Sequence, residues 1–135
     1  MAALAAPRVV IVMRDQWHRA LLRAALREAG YDAIGVRDGA EALLVRSDVS
    51  NRGPVRLLVE DHDSVTAKAA AALRERFRGA PAMLLARATV PPLEGNWDRV
   101  LRRPFSIEDV ISAVHELGLL PIDQRRSIDD DEPED

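Results

Sequence analysis

From Pro54 to Asp63 the chain reads PVRLLVEDHD, an apolar run through Val55, Leu57, Leu58 and Val59 that stops abruptly at Glu60, Asp61 and Asp63. An apolar stretch this short, bounded by a proline and a knot of carboxylates, reads as a buried strand whose C-terminal end opens on a polar site. In open α/β sheets, chemistry collects at that edge. Glu60 and Asp61 are therefore the first residues to weigh for function.

The rest of the chain supplies neighbours for this strand. Arg8 to Met13, RVVIVM, is a continuous β-branched run of the kind that needs cover on both faces. Asp15 then caps a helix over Gln16–Ala29, with Leu21, Leu22, Ala25, Leu26 and Ala29 at helical spacing and Gly30 as its stop. Tyr31–Val36 is a second strand. Asp38-Gly-Ala-Glu41 has the form of a capping box opening a helix through Leu43 and Leu44, and Ser47–Gly53 is a polar loop. After the strand at Pro54 come an alanine-rich helix over Ser64–Phe77, closed by Gly79, and a fourth strand over Ala82–Ala86. Pro91, Pro92 and Gly95 deny Thr89–Asp98 a long helix. Arg99–Arg102 is a brief fifth strand, and Ser106 caps a last helix that presents Ile107, Val110, Ile111 and Val114 on one face before Gly118 ends it. Five alternations with short connections predict a parallel five-stranded sheet between helical layers, with right-handed crossovers.

The 135 residues, 47% of them hydrophobic, suit one domain over 8–120, preceded by a short extension over 1–7. Residues 121–135 are polar and acidic and read as a disordered tail. The tail holds Asp123, Asp129, Asp130, Asp131, Glu132, Glu134 and Asp135 against Arg125 and Arg126. Taking those seven acids from 22 and those two bases from 19 leaves 15 and 17, so the domain itself is near neutral. Its arginines are interleaved with acids, which argues against nucleic-acid binding. No cysteine is present, so thiolate chemistry and disulfides are excluded. No run reaches the length of a membrane span, and a cytoplasmic location without membrane insertion is expected.

Three pieces in this order resemble the receiver domain of bacterial two-component response regulators over roughly Arg8 to Leu119. They are Leu22-Arg-Ala-Ala-Leu-Arg-Glu-Ala-Gly-Tyr31, Asp38-Gly-Ala-Glu-Ala-Leu43 and Arg103-Pro-Phe-Ser106. The resemblance implies a flavodoxin-like three-layer sandwich with strand order 2-1-3-4-5, here with the fourth helix shortened or irregular, and a cis Arg103–Pro104 bond. It also implies a phosphorylation site: two acids after strand one, an aspartate ending strand three, a hydroxyl ending strand four, and a lysine before the proline. In this sequence those positions fall on Met13 and Arg14, with Asp15 one place late, on Glu60, with Asp61 beside it, on Ala86 and on Arg103. Every one is replaced.

Aspartyl phosphorylation needs Mg²⁺, which demands near-octahedral oxygen ligands. Met13 offers a weak thioether, Arg14 a fixed positive charge where the cation would sit, and Ala86 no hydrogen bond to a phosphoryl oxygen. Arg103 is no equivalent of lysine, but its planar fork holds carboxylates well. An ion pair of Glu60 or Asp61 with Arg14 or Arg103 is therefore expected in place of a metal, with Glu60 reaching one methylene further than aspartate toward the phosphoryl position. The alternative displaces the strand by one residue and makes Asp61 the acceptor, with Asp15 and Asp63 forming a weak Mg²⁺ site.

His62 reads as a surface residue, Trp17 and Trp97 as packing residues, and Ser127 as a chance kinase motif in the acidic tail. Arg14-Asp-Gln-Trp17 is no phosphate-cradling loop, so a cofactor binder is disfavoured and no cofactor is expected. The expected function is non-enzymatic: a pseudo-receiver that serves bacterial signalling as a phosphorylation-independent protein interaction module. Its partner is a signalling protein or a second copy in a homodimer, with Leu117, Leu119 and Leu120 as contact surface.

Overall fold

The computed structural model describes residues 5–121. The predicted acidic tail, from residue 122 on, lies outside the described residues, as do residues 1–4. In chain order the elements are β1 (Arg8–Val12), α1 (Gln16–Glu28), β2 (Asp32–Val36), α2 (Gly39–Ala42), β3 (Asp48–Val49), β4 (Gly53–Asp61), a single 3₁₀ turn (His62–Ser64), α3 (Ala67–Arg76), β5 (Ala82–Ala86), β6 (Arg99–Arg102) and α4 (Ile107–Glu116). The parallel strands lie in the order β2-β1-β4-β5-β6, which is 2-1-3-4-5 when the two-residue β3 is set aside.

Two cores sandwich the sheet. On one face Val9, Ile11, Leu57, Val59, Met83 and Leu85 meet Leu22 and Leu26 of α1 and Val110 and Val114 of α4. On the other, Val10, Val12, Val55 and Leu58 meet Leu73 of α3. Alternation along each strand is what makes both layers apolar, because successive side chains point to opposite faces.

β4 breaks that alternation once. Its register against β1 shifts between Arg8 and Val9: Arg8 pairs with Val55, but Val9 pairs with Leu57. Arg56 is the extra residue, a bulge that reverses the face of everything after it. Leu57, Val59 and Asp61 thus share the α1/α4 face, while Leu58 and Glu60 share the α2/α3 face.

Several expected boundaries moved. Asp38 accepts from the Glu41 N–H, but the Glu41 carboxylate turns back to Arg37 N, at 2.7 Å, and α2 ends at Ala42. Leu44, expected inside that helix, is exposed. Beyond α2, Arg76 donates twice to Val45 O and draws the chain toward α3. The expected polar loop contains β3, which pairs antiparallel with the start of β4. α3, expected over Ser64–Phe77, runs only from Ala67 to Arg76 and is capped by Thr66. No helix forms among residues 87–98; Arg102 donates to Arg87 O and Val90 O, and Trp97 Nε1 to Leu93 O, at 2.7 Å, so side chains hold an irregular segment there. Leu119 is core rather than surface, its carbonyl accepting from Tyr31 Oη at 2.7 Å. Trp17, expected to pack, is 70% exposed.

Candidate functional site

The carboxyl ends of β1, β4 and β5 converge where the sequence places its candidate residues. Asp61 is the last residue of β4 and is buried, with only 6% of its surface exposed. Arg103, in the turn after β6, donates through Nη2 to Asp61 Oδ1 at 2.9 Å. The other oxygen, Oδ2, accepts from Ser64 Oγ at 3.0 Å and from Asp63 N at 3.3 Å. Ser64 Oγ in turn accepts from Arg14 N at 2.8 Å, tying the exit of β1 to the same carboxylate. The Asp61 carboxylate is thus held from three sides, by a guanidinium, a hydroxyl and a backbone N–H.

Local sequence explains the geometry. Asp61 caps the 3₁₀ turn over His62–Ser64, and that turn carries Ser64 back beneath the strand end. The Arg103–Pro104 peptide is cis, and the Arg103 guanidinium lies over the Phe105 ring at 5.4 Å, a cation–π contact that helps hold the fork in place.

Glu60 is the main correction. The expected reach toward Arg14 or Arg103 does not occur, because the bulge at Arg56 turns Glu60 into the α2/α3 core. There it is fully buried, and neither Oε1 nor Oε2 has a hydrogen-bond partner among the described residues. Burial pushes its carboxyl up to about 8, opposed by the field of Arg74 on α3. A carboxyl group in such surroundings is held neutral.

The remaining candidates divide. Met13 is buried in the α1/α4 core. Arg14 is exposed, and its guanidinium has no ion pair among the described residues. Asp15 caps α1, accepting from Trp17 N and His18 N at 3.0 and 3.1 Å, while its Oδ2 meets His18 Nδ1 at 3.0 Å. These contacts, the His18 N–H first, hold its carboxyl below the usual range. Asp63 is engaged by Arg87, which holds its carboxyl low in the same way. Ala86 is fully buried, and its carbonyl accepts from Arg103 N at 3.1 Å. His62 is half-buried with Nδ1 unpartnered among the described residues.

The donor set at this edge does not fit Mg²⁺. The one buried carboxylate already accepts three hydrogen bonds, the acid one place late is spent on a helix cap, and a guanidinium stands against the ligand oxygen. The expected pairing of Asp61 with Arg103 is present. Ser64 and Arg87 were not singled out as site residues from sequence; the signal for Ser64 was its place three residues after Asp61, the reach of an Asx-type turn.

No protein-family model and no curated protein matches the sequence. Solved structures do. The receiver domain of a Francisella response regulator is 24% identical, with a TM-score of 0.65, over 82% of this chain and 95% of that one. The chemotaxis protein CheY4 of Vibrio cholerae is 19% identical, with a TM-score of 0.67, over 84% of this chain and 98% of that one. The receiver domain of the hybrid histidine kinase CckA is 23% identical, with a TM-score of 0.59, over 81% and 96%. The strand order, the two helical layers and these likenesses together give this chain the flavodoxin-like fold of response-regulator receiver domains.

Proposed function

We propose that this protein is a pseudo-receiver, a cytoplasmic, non-enzymatic module that binds a signalling protein or a second copy of itself without being phosphorylated. The observation that carries this reading is the Asp61–Arg103 pair, 2.9 Å long, at the end of β4. A carboxylate so engaged is a poor nucleophile, since attack on a phosphoryl donor would require it to give up a charge-assisted bond without a cation in return. Trp17 and Leu21, exposed one turn apart on α1, support a binding role, because apolar surface of this kind is kept where a partner covers it.

Incubation with acetyl phosphate, or beryllofluoride, and Mg²⁺ tests the reading. The intact mass and the tryptophan emission are expected to stay unchanged. A second reading, an acceptor role for Asp61, draws support from the bulge that turns Asp61 rather than Glu60 to this edge. Phosphoryl label recovered on Asp61 would establish that second reading and overturn the first.

A further inference from the structure

The edge of the sheet opposite β6 carries a feature that the site above does not use. A groove of about 510 Å³ runs between α1 and β2, lined by Arg19, Arg23, Arg27 and Arg52 with Ile34 and Gly35 as its floor. Three of the arginines recur at four-residue spacing along α1, which stacks them on one helix face. Gly35 leaves room for the Arg19 stem to lie across the strand: a Cβ there would sit 3.0 Å from Arg19 Cγ. Ala33, whose carbonyl points to the open edge, accepts from Arg23 Nε at 3.4 Å and Arg27 Nε at 3.3 Å. Those bonds use one nitrogen of each fork. No carboxylate pairs with Arg19, Arg23 or Arg27 among the described residues, and nearby Asp32 is taken by both arms of Arg52, at 2.6 and 2.7 Å.

The same chain contains the complementary charge. From Asp129 to Asp135 it carries six acids and no base, while Arg125 and Arg126 fall before that run. The chain also leaves the domain at the right corner. Leu119 O accepts from Tyr31 Oη, and Tyr31 lies between the end of α1 and the start of β2. Ala33, which Arg27 touches, is two residues further along. Asp129 lies ten positions after Leu119, a reach of up to about 33 Å when extended. The groove is no longer than α1, about 20 Å for 13 residues.

We infer that residues 129–135 of this chain occupy the arginine groove between α1 and the edge of β2. Tethering makes the encounter intramolecular, so modest Coulombic attraction suffices to fill the groove most of the time. The occupied groove also covers the unpaired edge of β2, which would otherwise offer its free backbone groups to another strand.

The absence of cysteine makes the test clean. A nitroxide on Ser127→Cys in the full chain is expected to broaden the amide signals of residues 19–27 and 33–35 more than those of α3. The effect should vanish in 1 M salt, where the Debye length falls to about 3 Å. It should also vanish when Asp129, Asp130, Asp131 and Glu132 are changed to their amides, a variant that leaves the folded domain untouched. Arg23→Gln with Arg27→Gln should weaken it from the other side. Uniform broadening, broadening that survives the amide variant, or broadening only between a spin-labelled and an isotope-labelled copy would each overturn the assignment.

Discussion

Arg103 and Asp61, forty-two residues apart in sequence, meet at 2.9 Å between the turn after β6 and the end of β4. The contact joins a half-exposed guanidinium to a buried carboxylate, with side-chain exposures of 46% and 9%. Removing the cation leaves the acid in place with Ser64 and a backbone N–H only. Arg103→Ala is therefore expected to destabilise the fold by about 1–2 kcal/mol, less than for a fully buried pair, in urea denaturation. No loss of stability would mean that the pair contributes nothing.

Glu60 makes stability fall as pH rises. Its carboxyl titrates near 8 in the folded protein and near 4.5 when the chain is unfolded, so between those values the unfolded state has released a proton that the folded state keeps. The penalty grows by about 1.4 kcal/mol per pH unit from roughly 4.5 to 8 and then levels off. At pH 7 it is on the order of 3 kcal/mol. Glu60→Gln should remove the slope, stabilising the protein at pH 7–8 and leaving it nearly unchanged near pH 4, as read from denaturation midpoints across that range.

Tyr31 is the only tyrosine, and burial pushes its hydroxyl up to about 12. The neutral phenol is the form that donates to Leu119 O, so stability is full below pH 10 and declines as pH rises toward 12. An absorbance titration at tyrosinate wavelengths should find its midpoint well above 10. Tyr31→Phe should cost about 1–2 kcal/mol, because the Leu119 carbonyl is left without its partner.

Gly39 begins α2 where a Cβ would come within 2.8 Å of Ala69 Cβ on α3. Both atoms belong to helices that cannot give way cheaply. Gly39→Ala should destabilise by about 1–3 kcal/mol through overpacking, and adding Ala69→Gly should recover part of the loss. A purely additive double-mutant cycle would show that the close approach does not limit the packing.

Much of this was legible in the residues. The spans β5 and β6, the caps at Asp15 and Ser106 and the stops at Gly30, Gly79 and Gly118 follow local rules that neighbouring residues settle among themselves: apolar runs, capping side chains, a positive φ. The irregularity of residues 87–98 was foreshadowed by Pro91 and Pro92. Trp17 misled, because an aromatic at helical spacing looks like core until the helix's rotation against the sheet is known.

Residue types alone set the chemistry available at the strand ends: an arginine before the proline, an alanine ending the fourth strand and adjacent acids ending the third. Which acid uses that chemistry depends on strand pairing. One additional residue at Arg56 is invisible locally, since a strand read alone has no register; pairing with β1 creates the bulge, and a shift of one residue exchanges the two faces of the sheet. That exchange sends Glu60 into an apolar core and brings Asp61 to Arg103.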